Sequence, residues 1–106
     1  MKTLDEKLLA TVTQRLVAEF QPEQVWLYGS HAWGQPHENS DVDLFVIVPH
    51  SDEPPTRRAQ RAHRCLRGLR MPKDVLVETR AEVDGVKGLT TALENTILSR
   101  GRRLYG

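Results

Sequence analysis

The fold is decided by residues 25–48, VWLYGSHAWGQPHENSDVDLFVIV, which hold two apolar runs joined by a polar loop. Val25–Tyr28 is short, β-branched and aromatic, and Gly29 and Ser30 follow it, so it predicts a buried strand that enters a tight turn. Asp41–Val48 is apolar after its first residues and predicts a second strand. Between the strands we expect a loop or one irregular turn of helix.

The chain before this stretch predicts one amphipathic helix. Thr3 and Glu6 have the spacing of a capping box, in which each side chain bonds a backbone N–H at the helix start. Pro22 ends the helix. Apolar residues recur on one helix face throughout it. They are Leu4, Leu8, Leu9, Val12, Leu16 and Phe20.

The chain after this stretch predicts a helix, a strand and another helix. Thr56 is expected to cap a helix that reaches about Arg70, and Asp74–Thr79 to form a third strand. A third helix is expected over Gly88–Arg100, with Gly101 as its C-cap. Its inward residues are expected to be Leu89, Leu93, Ile97 and Leu98. The order α-β-β-α-β-α predicts an α/β fold, with a short mixed sheet that carries the site on one face and helices on the other.

Length and charge limit the classes of protein. The chain has 106 residues, which fit a single domain over residues 1–106, and its net charge is +1. This balance argues against general affinity for nucleic acids or membranes. Cys65 is the single cysteine, which excludes a disulfide framework and favours a reducing compartment. With no signal peptide or long apolar run, we expect a soluble cytoplasmic protein.

Two aspartates mark the start of the second strand. Asp41 and Asp43 are two residues apart, so their side chains project from the same face, with Cα atoms roughly 6–7 Å apart. Two such carboxylates repel one another, and a divalent cation commonly neutralises them. An all-oxygen site suits Mg²⁺ or Mn²⁺.

Three further positions could complete a phosphate site. Gly29 lets the backbone approach a ligand closely, and Ser30 offers a hydroxyl and an N–H to a polyphosphate. Asp74 could supply a third carboxylate, to bind metal or accept a proton, if its strand lies beside the second. The alternative is that Asp74 caps the turn after Pro72. Ser40 either closes the loop by local hydrogen bonds or contacts phosphate.

The combined pattern resembles a known superfamily. Gly29-Ser30, a spacer of about ten residues, Asp41-x-Asp43 and a later Asp74 are similar to the nucleotidyltransferases of the DNA polymerase β type. The finer pattern Gly-Ser-x-Ala-x-Gly before Ser-Asp-x-Asp-Leu resembles their minimal nucleotidyltransferase (MNT) subfamily. The resemblance spans nearly the whole chain and implies a polymerase β-like fold.

The resemblance also implies roles for site residues. Three aspartates would bind two Mg²⁺ ions and carry catalysis, the last of them as the base, and three other residues would bind nucleotide. They are Asp41, Asp43 and Asp74 for the first set and Gly29, Ser30 and Ser40 for the second. Trp33 departs from the subfamily pattern, which often has arginine there, and so removes one phosphate contact.

A partner is implied as well. Many MNT proteins are antitoxins of HEPN ribonuclease toxins, and some transfer AMP from ATP onto a tyrosine of the toxin. The alternatives are an antitoxin that acts by binding alone and an enzyme that modifies a small molecule of the aminoglycoside type. Six arginines lie between Arg57 and Arg70 with no acidic residue among them. They form either a solvated helix face or a docking surface for an acidic partner.

Overall fold

A four-stranded sheet organises the fold in the computed structural model, which describes residues 4–37 and 39–106. The elements in chain order are α1 (Glu6–Phe20), β1 (Gln24–Tyr28), α2 (Ser30–Trp33), β2 (Val42–Val48), α3 (Pro55–Cys65), β3 (Lys73–Thr79), α4 (Arg80–Gly85), α5 (Leu93–Arg100) and β4 (Arg102–Tyr105). The α/β class is confirmed, and the longer elements recover the predicted order. The four-residue helix α2 is the short turn of helix expected as one alternative between the first two strands, whereas α4 and β4 are additions to the predicted order.

The sheet is mixed, as predicted, with strand order β3-β2-β1-β4. β1 pairs antiparallel with both β2 and β4, whereas β2 and β3 run parallel. Parallel neighbours need a crossover connection, and α3 provides it. In the resulting register Asp43 lies between Tyr28 on β1 and Asp74 on β3.

Each face of the sheet carries its own apolar layer, because successive strand residues point to opposite faces. On the first face Leu44 and Val46 of β2 pack with α1 and α3. On the second face Phe45 and Ile47 pack with Val83 of α4 and with α5. The long helices α1 and α3 thus cover one face, and short helices cover part of the other. Asp43 is two residues before Phe45 on β2, so its side chain lies on the same second face.

The start of α1 is capped by Asp5, whose carboxylate accepts a hydrogen bond from the Lys7 N–H at 2.8 Å. Thr3, the predicted cap, lies outside the described residues. The helix ends at Phe20, and Gln21 adopts a left-handed conformation before Pro22, as expected for a helix stopped by proline. Among the described residues, no helix is long and apolar enough to cross a membrane.

The prediction that Thr56 caps α3 is wrong. Pro54 occupies the cap position without a side-chain hydrogen bond, and Pro55 begins the helix, where its fixed φ angle suits the first turn. The helix also ends at Cys65 rather than near Arg70. Gly68, with φ of +90°, turns the chain away from a helical path.

Two of the six arginines form hydrogen bonds and ion pairs with other parts of the fold. Arg58 is only 6% exposed, donates to the Val77 carbonyl and pairs with Glu82 at 2.7 Å. Arg61 pairs with two glutamates and lies over the Phe20 ring, 4.5 Å from its centroid. The carboxylates that pair with these two arginines come from outside the helix, so neither a solvated face nor a free docking surface describes Arg58 and Arg61.

The third predicted helix is shorter than expected. It begins at Leu93 instead of Gly88, and Leu89 and Leu93 are exposed, whereas Ile97 is buried as predicted. The preceding segment is instead a series of turns whose carbonyls accept hydrogen bonds from the Asn95 amide. Gly101 follows the helix in an extended conformation and leads into β4, which pairs with β1.

Candidate active site

Three aspartates gather where β2 and β3 begin. Asp43 and Asp74 are direct partners across the parallel strands, which in such sheets lie about 4.8 Å apart. Asp41 lies one residue before β2. Asp43 is half-buried, whereas Asp41 and Asp74 are exposed. The structure therefore places the third strand beside the second, which is the condition under which Asp74 could join the pair.

The charges of these residues affect one another. Burial is the main cause that raises the pKa of Asp43, and the negative charges of Asp74 and Asp41 raise it further. His31 acts in the opposite direction. A positive charge placed beside Asp43 would relieve this repulsion.

Gly29 brings the backbone directly against Asp43. Its φ of 75° and ψ of −156° lie in a region essentially restricted to glycine. A Cβ atom added at this position would overlap Asp43 Oδ2 and lie 3.2 Å from Cγ. The turn and the carboxylate therefore form one surface, with Ser30 beside it at the start of α2. Among the described residues the Ser30 hydroxyl has no hydrogen-bond partner.

Ser40 has a different environment from the other predicted site residues. It is buried, and its hydroxyl accepts a hydrogen bond from the His37 N–H at 2.9 Å. His31 Nε2 lies 3.3 Å from the Ser40 carbonyl oxygen. This is the loop-closing role named as one alternative above, and a contact of Ser40 with phosphate stays a prediction.

An aromatic group borders the turn. The rings of Tyr28 and Trp33 lie 6.3 Å apart between centroids, and the guanidinium of Arg100 lies 5.1 Å from the centroid of Trp33. Tyr28 is the register partner of Asp43. Burial first, and then the charge of Asp43, raises the pKa of Tyr28 to about 12, so its hydroxyl keeps its proton at neutral pH.

A second carboxyl pair lies farther along the same face. Burial and a hydrogen bond with Glu94 raise the pKa of Glu78 to about 7, and the charge of Glu82 adds to this while that of Arg58 opposes it. Glu78 Oε1 is buried without a hydrogen-bond donor among the described residues. Glu78 therefore keeps its proton over much of the acidic range.

The donor set is compatible with a divalent cation. In residues 4–37 and 39–106, no three acidic, histidine or cysteine side chains converge to enclose a metal ion. Mg²⁺ does not require such a cage, because it is usually bound through one or two carboxylates together with substrate phosphates and water. Asp43 with a flanking aspartate provides those carboxylates in an all-oxygen site.

Sequence reasoning missed two residues near this site. Tyr28 was considered only as part of a strand, although its place directly before Gly29 fixes it beside Asp43. Arg100 was considered only as the end of a helix. Its contact with Trp33 depends on how α5 packs against the sheet, so no local pattern indicates it.

Comparisons with known proteins agree with this geometry. The profile of the nucleotidyltransferase domain family matches residues 9–102. The chain is similar in structure to a provisionally assigned nucleotidyltransferase of Sulfolobus solfataricus, with 26% identity and a TM-score of 0.59 over 76% of this chain and 72% of that one. No curated protein matches the chain significantly. Because the family profile spans the Gly29 turn and all three aspartates, the chain belongs to the nucleotidyltransferase domain family.

Proposed function

We propose that this protein transfers AMP from ATP, with Mg²⁺, onto a tyrosine hydroxyl of a HEPN-family toxin and so acts as its antitoxin. Family membership supports nucleotidyl transfer, since nucleotidyltransferase domains generally use a nucleoside triphosphate and a divalent metal. The observation that carries the proposal is Asp43, flanked by Asp74 in register and touching the Gly29 turn. The toxin as acceptor is supported by the resemblance of the Gly-Ser and Asp-x-Asp motifs to MNT proteins.

In this proposal Asp41 and Asp43 hold the cation, with two ions bound in the reacting complex. When bound, Mg²⁺ neutralises the triphosphate and lowers the pKa of the acceptor hydroxyl. The half-buried position of Asp43 keeps its carboxylate fixed beside the turn, while the exposed Asp41 can turn toward it. The two residues thus offer oxygen ligands from one edge of the sheet.

The turn orients the phosphates. Because Gly29 has no side chain, Asp43 Oδ2 lies directly against the backbone of the turn, and a phosphate held at the turn would lie beside this carboxylate. The Ser30 hydroxyl is available as a donor. Holding the triphosphate at this turn aligns the α-phosphorus with an incoming hydroxyl, and this positioning supplies much of the catalysis in such transfers.

Asp74 is placed to accept the proton. It is exposed and lies next to Asp43, so it can reach an acceptor that approaches from solvent. The acceptor oxygen forms a bond to the α-phosphorus, the bond to the β-phosphate oxygen breaks, and pyrophosphate leaves. The hydroxyl proton passes to Asp74. The products are the AMP-modified acceptor and pyrophosphate.

The test is intact-mass spectrometry of the toxin after incubation with this protein, ATP and Mg²⁺. The expected result is a mass gain of one AMP per modified site, located on tyrosine by fragmentation. The matched control is Asp41→Asn with Asp43→Asn, which should give no gain.

Two other results would contradict the proposal. A tight complex in which the toxin stays unmodified would show an antitoxin that acts by binding alone. A mass gain on an aminoglycoside but not on the toxin would show a small-molecule enzyme.

A further inference from the structure

Arg100 stands beside the proposed site without a role in it. Its guanidinium lies 5.1 Å from the Trp33 ring centroid, and Trp33 contacts Tyr28, the register partner of Asp43. These contacts place a positive charge on the same sheet face as the three aspartates, on the side of the Gly29 turn.

The position of Arg100 is fixed by backbone packing. The next residue, Gly101, donates to the Ile97 carbonyl at 2.7 Å, and a Cβ there would lie 2.9 Å from the Leu27 carbonyl oxygen. Arg102 then pairs with Leu27 in the sheet. The end of α5 is therefore held against the end of β1, immediately before the turn.

Among the residues that the structure describes, Arg100 has a cation–π contact and no carboxylate partner. Four arginines there form ion pairs with carboxylates, namely Arg58, Arg61, Arg80 and Arg102, and Arg100 belongs with the others that do not. Within the described part of the chain, no carboxylate lies within ion-pair distance of Arg100. The contact of the guanidinium with the Trp33 ring does not use its N–H groups, so these donors stay available to a ligand.

We infer that Arg100, supported by Trp33, binds the triphosphate of the nucleotide. This inference rests on the proposed function. A triphosphate at the Gly29 turn carries several negative charges, and a cation at Asp41 and Asp43 neutralises it from one side only. A guanidinium fork matches phosphate oxygens in a bidentate geometry, and it supplies the charge from the other side.

The experiment is calorimetric titration of the whole chain with inorganic tripolyphosphate and, separately, with ATP, both with Mg²⁺. Arg100→Gln should weaken the binding of both ligands by about tenfold or more. Arg100→Lys should weaken binding less, because lysine keeps the positive charge but cannot donate two parallel hydrogen bonds to a phosphate. Trp33→Phe should stay near wild type, since it keeps a ring under the guanidinium. The matched control is Arg57→Gln, an exposed arginine on the helix that packs on the opposite sheet face.

The titrations distinguish a failure of the inference about Arg100 from a failure of the proposed function. Equal affinity of Arg100→Gln and wild type for tripolyphosphate, while Asp41→Asn with Asp43→Asn fails to bind, would overturn the inference and leave the proposed function standing. A loss for ATP without a loss for tripolyphosphate would also overturn it, because Arg100 would then contact the base. A wild-type protein that binds neither ligand would overturn the proposed function together with the inference.

Discussion

Replacing Gly29 by alanine, which adds one methyl group, is expected to slow transfer strongly. The backbone at this position has φ of 75° and ψ of −156°, which costs a residue other than glycine about 1–3 kcal/mol. The new Cβ would also overlap Asp43 Oδ2. The carboxylate must then rotate away from the turn, and it leaves the place where cation and phosphate meet.

These two effects have separate magnitudes. The backbone strain lowers the free energy of unfolding by about 1–3 kcal/mol, which corresponds to a fall in Tm of about 4–8 °C for each kcal/mol in a domain of this size. Displacement of Asp43 by about 1 Å is expected to lower kcat/KM by about a hundredfold. Both quantities are measured on the same preparation, by thermal melting and by a pyrophosphate-release assay with the acceptor present.

Two other glycines separate strain from the clash with Asp43. Gly68 has φ of +90°, but a Cβ there would meet no atom within 4 Å, so Gly68→Ala should lower Tm and leave kcat/KM unchanged. Gly85 has neither constraint and ends α4, so Gly85→Ala should leave kcat/KM unchanged and should not lower Tm. If Gly29→Ala retains the same kcat/KM as Gly68→Ala, the turn does not control Asp43 and the reasoning is refuted.

Three further predictions concern the rest of the chain. Arg58→Ala should lower the free energy of unfolding by about 2 kcal/mol, because the Val77 carbonyl and the Glu82 carboxylate lose their partner. Urea unfolding measures this, and an unchanged free energy of unfolding would contradict it. Glu78 has its ordinary pKa of 4.5 when unfolded but about 7 when folded, so the free energy of unfolding should fall by roughly 1 kcal/mol after solvent screening as pH rises from about 4.5 to 7. Glu78→Gln should remove this pH dependence, and its persistence would exclude Glu78 as the source. Arg57→Glu with Arg64→Glu should slow association with an acidic toxin surface and weaken the salt dependence of the association rate, measured by stopped flow. An unchanged rate would mean that the arginine face of α3 is only solvated.

The strands could be predicted closely because their signal is local. β-branched and apolar runs bounded by glycine and proline gave the three longer strands within one residue at each end. The adjacency of Asp43 and Asp74 was a conditional expectation, since sequence alone does not fix strand order. The observed order β3-β2-β1-β4 meets the condition.

The sequence did not predict α4, β4 or the turns before α5, for different reasons. Thr79 and Glu82 form a capping box that starts α4, so this signal was present in the sequence but was assigned to the end of a strand. β4 is a short edge strand with two arginines, and it exists because β1 offers an unpaired edge. The turns before α5 depend on the Asn95 side chain, which bonds their carbonyls. Such tertiary contacts leave no periodic pattern.

The burial of Arg58 depends on contacts with other elements, which the sequence of the helix does not show. Arg58 is four residues before Ala62, so both lie on the inward face of α3. A buried arginine needs partners from other elements, and the structure supplies Glu82 and the Val77 carbonyl. The arginine pattern alone could not distinguish this position from the exposed Arg57.

The central claim is that Asp43 and its neighbours transfer a nucleotidyl group, and radiolabelled ATP tests this most directly. Acceptor protein is incubated with Mg²⁺ and this chain, in one reaction with ATP labelled at the α-phosphate and in another with ATP labelled at the γ-phosphate. We expect that the α label enters the acceptor, that the γ label leaves as pyrophosphate, and that Asp43→Asn abolishes the transfer. Incorporation of the γ label, or undiminished transfer by Asp43→Asn, would contradict it.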